Sequence, residues 1–68
     1  MLGISETIRR LTGDLYELRI HYGPGYRVYL GNANVVIVII LCAGLKKTQR
    51  RDIQKAKTLW EKFKDRNI

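Results

Sequence analysis

Glu17-Leu18-Arg19-Ile20-His21-Tyr22-Gly23-Pro24-Gly25-Tyr26-Arg27-Val28-Tyr29-Leu30 decides the fold, because it reads as two short strands joined by a tight turn. On the first arm Tyr16, Leu18, Ile20 and Tyr22 share one side of a period-two pleat, and Glu17, Arg19 and His21 share the other. On the second arm Tyr26, Val28 and Leu30 alternate with Arg27 and Tyr29. The pattern predicts half-buried strands with apolar side chains inward and charge outward. Proline presets one turn dihedral and glycine accepts positive φ, so Gly23-Pro24-Gly25 favours an antiparallel hairpin. Centring the turn on Pro24 sets His21 opposite Arg27 and Arg19 opposite Tyr29, with Cβ atoms roughly 5 Å apart. Two guanidinium groups, an imidazole and a phenol would then share one exposed patch able to grip a phosphate.

Working outward, Val35 through Ala43 is an unbroken apolar run. Nine residues fall far short of the roughly 20 that a membrane-spanning helix needs. The run reads instead as a third strand, Val35 to Leu41. A strand that is apolar at every position is expected to be central and covered on both faces. Gly31 to Asn34 forms the turn before it. Ala43 to Lys47 reads as a basic loop, with Thr48 as the N-cap of a helix running to about Lys64 and Asp52 in its first turn. Ile53, Ala56, Leu59, Trp60 and Phe63 recur at spacings of three and four, an apolar stripe that belongs against a sheet. Ahead of the hairpin the reading divides. Ser5 could cap a short helix bearing Ile4, Ile8 and Leu11, or Ile8 to Leu11 could lead into a strand, and Thr12-Gly13-Asp14 breaks either one. The expected architecture over residues 1–68 is one α+β domain. It is a three-stranded antiparallel meander, four-stranded if the N-terminal segment is a strand, packed against a C-terminal helix.

The chain has 68 residues, and a domain of that length buries only about 60% of the surface its unfolded chain exposes. Thirteen Lys and Arg against six Asp and Glu give a formal charge of +7, which points to an anionic partner. Cys42 is the one cysteine, so the sequence offers no intrachain disulfide and no multi-cysteine zinc site. With one histidine and no carboxylates spaced around it, metal or cofactor binding is not expected. No glycine-rich phosphate loop precedes a helix. Ser5 is the one serine, which rules out a serine triad. No charged leader with an apolar segment and small-residue cleavage site is present, so the cytoplasm is expected.

What remains suits phosphodiester chemistry on RNA. That reaction needs a base for the 2′-hydroxyl, an acid for the leaving 5′-oxygen and cations for the charge that builds on the phosphoryl oxygens. Arg19 and Arg27 are the candidate cations. An imidazole titrates near neutrality, which makes His21 the candidate base or acid, with Tyr26, Tyr29 and Lys46 as substitutes. A solvated basic sheet face without chemistry is the competing reading of the same residues.

Tyr16 to Tyr29 resembles the hairpin of the RelE/ParE toxin superfamily, specifically its HigB-like branch of addiction module killer proteins. Val36 to Cys42 resembles that branch's apolar strand, Gly44-Leu45-Lys46-Lys47-Thr48-Gln49 its Gly-x-Lys-x-Thr-Gln loop, and Asp52 to Ala56 the start of its last helix. The likeness runs from about Leu11 to Lys64. It implies the toxin of a type II toxin-antitoxin pair, a small ribonuclease-like fold, and cleavage of messenger RNA, in many members on the ribosome. It implies a cognate acidic or amphipathic antitoxin as partner and no membrane. Arg27 aligns with an arginine that contacts the scissile phosphate, and Lys46 lies where a second catalytic cation is usual. The catalytic set is then Arg27, Lys46, His21 and Tyr29, with Arg19, Lys47, Arg50 and Arg51 binding RNA. Asp52 is the nearest counterpart of an additional acidic group that some members carry near the last helix.

Family members normally begin with a strand and two antiparallel helices, for which this chain has about a dozen residues. Those helices would cover one sheet face, so an antitoxin or a second copy of the chain is expected to fill the gap. Two other functions follow from the same resemblance: a shortened, inactive member that binds an antitoxin, and a gyrase-directed toxin of the ParE type.

Overall fold

The computed structural model describes residues 5–34 and 36–67. Four strands, β1 (Ser5–Thr12), β2 (Leu15–His21), β3 (Tyr26–Asn32) and β4 (Val38–Leu45), precede a 3-10 turn (Lys46–Thr48) and one helix, α1 (Gln49–Asn67). The strands form an open antiparallel sheet in the order β1-β2-β3-β4. The fold class is therefore α+β, with the meander extended to four strands because the N-terminal segment is β1 and not a helix. The start of that segment, residues 1–4, lies outside the described residues.

Register departs from a turn centred on Pro24. Arg19 stands opposite Arg27, Glu17 opposite Tyr29 and Ile20 opposite Tyr26. Gly25 donates its N–H to the Tyr22 carbonyl at 3.0 Å, closing a turn over residues 22–25, and both glycines take positive φ (57° at Gly23, 83° at Gly25). The hairpin thus pivots on Gly23, and every expected pair moves by two positions. A shift of two keeps each side chain on its face but changes its neighbour.

The apolar run also departs from expectation. Ala33 donates to the Ile37 carbonyl at 2.9 Å, and Val36 donates to Asn34 Oδ1 at 2.9 Å. The turn therefore consumes Val36 and Ile37, while Gly31 and Asn32 extend β3. β4 begins at Val38 and takes in Ala43 to Leu45, where the sequence predicts a loop. It is an edge strand, with Val38 57% and Ile40 70% exposed. Position 35 lies outside the described residues.

α1 chooses the face opposite to the one alternation favours. The core holds Leu15, Tyr29, Ala56 and Trp60, and the charged groups Glu17, Arg27 and Asp52 are buried with it. Glycine explains the choice. The Trp60 ring sits on Gly31, where a Cβ would overlap it, and the Asp52 carboxylate sits on Gly44 in the same way. These two positions make a trough on the charged face into which the helix settles. Two bulges then supply that face with apolar groups. The register shifts between Arg10 and Thr12, and again where Leu30 faces Ile40, leave Leu11 and Leu41 as the extra residues, and both pack against the core. The helix stripe is as expected at four positions, with Ala56 and Trp60 buried and Ile53 and Phe63 packed beside them, while Leu59 is half-buried at its margin.

The other face carries three rows that cross all four strands. Glu6, Ile20, Tyr26 and Leu45 form the first, at the Gly23 end. Ile8, Leu18, Val28 and Ala43 form the middle row. Arg10, Tyr16, Leu30 and Ile40 form the third. No helix lies over this face among the described residues.

Candidate nucleic-acid interface

Glu17 organises the covered face. It is fully buried and accepts hydrogen bonds from Arg19 Nε and Gln49 Nε2, each at 2.7 Å, with the Arg9 guanidinium 3.6 Å away. Burial alone would push this carboxyl up. The hydrogen bonds from Arg19 and Gln49, with the charges of Arg19 and Arg9, outweigh it and hold the group below the ordinary carboxylate range. Glu17 therefore joins β1, β2 and α1 as a carboxylate.

A second polar cluster fixes the start of α1. The Thr48 hydroxyl donates to Asp52 Oδ2 at 2.6 Å and accepts from the Leu45 N–H at 3.3 Å. Asp52 is 5% exposed and lies over Gly44, so it serves helix placement. Cys42 is half-buried with Sγ 3.7 Å from the Asp52 carbonyl, and burial raises its thiol, as for an inert core cysteine.

The candidate residues divide between these surroundings. Arg27 is 6% exposed, and its Nε meets no hydrogen-bond acceptor among the described residues. It faces Arg19 across the β2–β3 ladder, and like charges directly opposed in a sheet repel. Glu17 engages Arg19 from one side, and Arg27 has no ion pair among the described residues. Lys46 lies against Gly25, two residues before Arg27. Its N–H donates to the Gly25 carbonyl at 2.9 Å, and its side chain passes over Gly25, within 3.2 Å of where a Cβ would stand. His21 is exposed two residues beyond Arg19 on the same pleat face, with Nε2 3.2 Å from Thr7 Oγ1.

The expected exposed patch is therefore reduced to His21 and Lys46, because Arg27 is buried and Arg19 half-buried, and Tyr29 is buried too. It is fully buried beneath α1, and burial together with the adjacent Glu17 carboxylate pushes its phenol up to about 12. Its proton is held too tightly to be exchanged near neutrality. Tyr26 lies on the opposite, open face, since it pairs with Ile20 and Leu45. Lys47, Arg50 and Arg51 are exposed and line a shallow depression of about 410 Å³ with Thr48 and Gln54 at the start of α1. Arg51 is partly engaged by Asp52, 3.6 Å away.

Residue types alone did not mark Glu17, Gln49 and Arg9 as a unit. The available signal was a lone carboxylate flanked by arginine on the polar face of β2. Its partners become visible only when β1 and α1 are placed. Among the described residues no three His, Cys, Asp or Glu side chains gather closely enough to hold a metal ion. No described helix is long and apolar enough to cross a membrane.

No family model and no solved structure matches the chain. It is similar to an uncharacterized protein of Haemophilus influenzae, 54% identical over 52 residues, which are 76% of this chain and 52% of that protein. The chain thus spans about half the length of the relative it matches.

Proposed function

We propose that this chain is an RNA-directed toxin of a type II toxin-antitoxin pair, of the HigB-like branch of the RelE/ParE superfamily, acting on messenger RNA in the cytoplasm and on the ribosome. The observation that carries the reading is the opposed pair Arg19 and Arg27, with Arg27 buried, its Nε unpaired among the described residues, and Lys46 over the neighbouring Gly25. A buried guanidinium whose Nε lacks an acceptor is suited to receive a phosphate. The likeness of the hairpin and of the Gly-x-Lys-x-Thr-Gln loop to that branch supports the same conclusion.

In the proposed reaction Arg27 and Arg19 hold the non-bridging oxygens of the scissile phosphate. His21 takes the proton of the 2′-hydroxyl, whose oxygen attacks phosphorus. The bond from phosphorus to the 5′-oxygen breaks, and Lys46 gives that oxygen a proton. The products are a 2′,3′-cyclic phosphate and a 5′-hydroxyl, and no metal takes part. Glu17 positions Arg19 by accepting its Nε–H. Lys47, Arg50 and Arg51 bind the flanking RNA backbone through charge. An acidic antitoxin would neutralise the same positive surface.

Expression in a bacterium tests the reading. Growth arrest with new messenger RNA 5′-hydroxyl ends, both lost in Arg27→Ala, is the expected result. Arrest that persists unchanged in Arg27→Ala would remove the assigned site. Arrest with altered DNA supercoiling and intact messenger RNA would select gyrase as the target instead.

A further inference from the structure

The open sheet face is apolar, neutral and self-complementary, and we propose that it is a homodimer interface in which two copies of this chain stack face to face. The inference is independent of the RNA chemistry, which occupies the opposite side of the sheet. Ile8 is 65% and Ile40 70% exposed on this face, and Ile8, Tyr16, Leu30 and Val38, with Asn32, line a shallow depression of about 220 Å³. Contiguous apolar surface of this extent marks an interaction site.

Charge decides the occupant. The chain carries +7, yet the three rows hold only Glu6 and Arg10 as charged groups, and these cancel. An acidic partner would find nothing positive to engage here, whereas a second copy meets no repulsion. Glu6 and Arg10 also lie on the same strand, two residues to either side of Ile8. A two-fold axis along the middle row, Ile8, Leu18, Val28 and Ala43, turns the Glu6 row onto the Arg10 row. Glu6 then meets Arg10 of the partner subunit, and Arg10 meets Glu6 of the partner subunit. This is the self-complementarity that an isologous contact requires. Arg10 is already steered at its base, because its Nε donates to the Gly13 carbonyl at 2.8 Å.

The area is sufficient. Four strands of at least seven residues cover roughly 450 Å² in plan at usual strand spacing and rise. Two such faces with side-chain relief remove on the order of 1,000 Å² from water, which reaches the lower range of specific interfaces. Sheets pack in this way about 10 Å apart, within reach of a Glu–Arg pair at the edge.

Sedimentation equilibrium of the full chain tests the proposal. A concentration-dependent species of twice the chain mass is expected. Val28→Lys at the centre and Ile8→Lys at the exposed edge should each leave a monomer, and circular dichroism confirms that each is folded. Ile8→Lys keeps the test usable if Val28→Lys does not fold. Glu6→Arg and Arg10→Glu should each weaken the dimer on the order of tenfold, and the double exchange should restore it. A chain that stays monomeric at millimolar concentration would overturn the proposal. So would a dimer indifferent to both lysine variants, single charge reversals without effect, or a double exchange that fails to restore binding. A monomer that associates only with an amphipathic helical peptide would assign the face to another occupant and overturn it as well.

Discussion

The two faces of this sheet arise from one alternating sequence and do opposite things. The face beneath α1 buries a carboxylate, an arginine, a tyrosine and an aspartate, and the face away from it presents isoleucine, leucine and valine. The difference teaches that backbone access can outrank polarity in placing a helix. Trp60 and Asp52 dock where Gly31 and Gly44 leave room, Glu17 is satisfied by Arg19 and Gln49, Asp52 by Thr48, and Arg27 keeps a buried Nε without an acceptor among the described residues. A buried carboxylate with two hydrogen bonds and neighbouring arginines is tolerable, whereas the same group alone would not be.

The comparison is most easily broken at its glycines. Gly31→Val would drive a branched side chain into the Trp60 ring and lift α1. We expect a loss of about 3 kcal/mol or more, enough to abolish a cooperative urea transition in a domain of this size. An unchanged transition would mean that α1 does not rest on Gly31.

Glu17→Gln comes next. It breaks the charged half of the network and leaves Arg9 and Arg19 without their carboxylate, at a cost of about 2 kcal/mol at neutral pH in urea unfolding. The pH dependence has a definite sign. The folded-state pKa of Glu17 lies below its usual value of 4.5, so its contribution is present above about that pH and is lost as pH falls through the folded value. Acid titration should therefore destabilise the parent chain more steeply than the Glu17→Gln variant. Parallel acid curves would show that Glu17 is not held as a carboxylate.

Tyr29→Phe sharpens the alkaline side, and because the buried Tyr29 hydroxyl has no hydrogen-bond partner among the described residues, stability at neutral pH should fall by less than about 0.5 kcal/mol or rise. The tyrosine's folded-state pKa is raised from 10 to about 12, so its contribution is present below pH 10 and fades as pH climbs toward 12. Thermal melts from pH 9 to 12 should show a decline that the phenylalanine variant lacks. On the open face effects on folding should be smallest. Ile40→Thr, 70% exposed in the parent, should shift stability by under about 0.5 kcal/mol while reducing self-association in sedimentation runs.

Much of this architecture is legible in the residues. Period-two alternation locates β2 and β3, the spacing of Ile53, Ala56, Trp60 and Phe63 locates α1, and their combination gives the α+β class. The side of the sheet that α1 covers is not legible, because alternation states only that two faces differ. That choice is made by Gly31 and Gly44 together with bulges at Leu11 and Leu41, and bulges leave no mark in a single sequence. Hairpin register escapes for a related reason. Gly23-Pro24-Gly25 announces a turn without stating its centre, and a shift of two residues preserves the alternation while replacing a His21–Arg27 pair by Arg19–Arg27. The cations of the site were therefore legible and their neighbours were not. Tyr29 and Asp52, chemically plausible when seen as residue types, become structural groups once buried.

The opposed arginines are the centre of the account, and nuclear magnetic resonance of their Nε–H groups tests them most directly. A short oligoribonucleotide with a non-reactive 2′-deoxy linkage at one step would be titrated into the full chain. We expect saturable shifts of the Arg27 and Arg19 Nε–H resonances, slower solvent exchange at Arg27, and perturbation of His21 and Lys46. Shifts confined to Lys47, Arg50 and Arg51, with Arg27 Nε–H unmoved at saturation, would contradict the account and leave a general basic surface in its place.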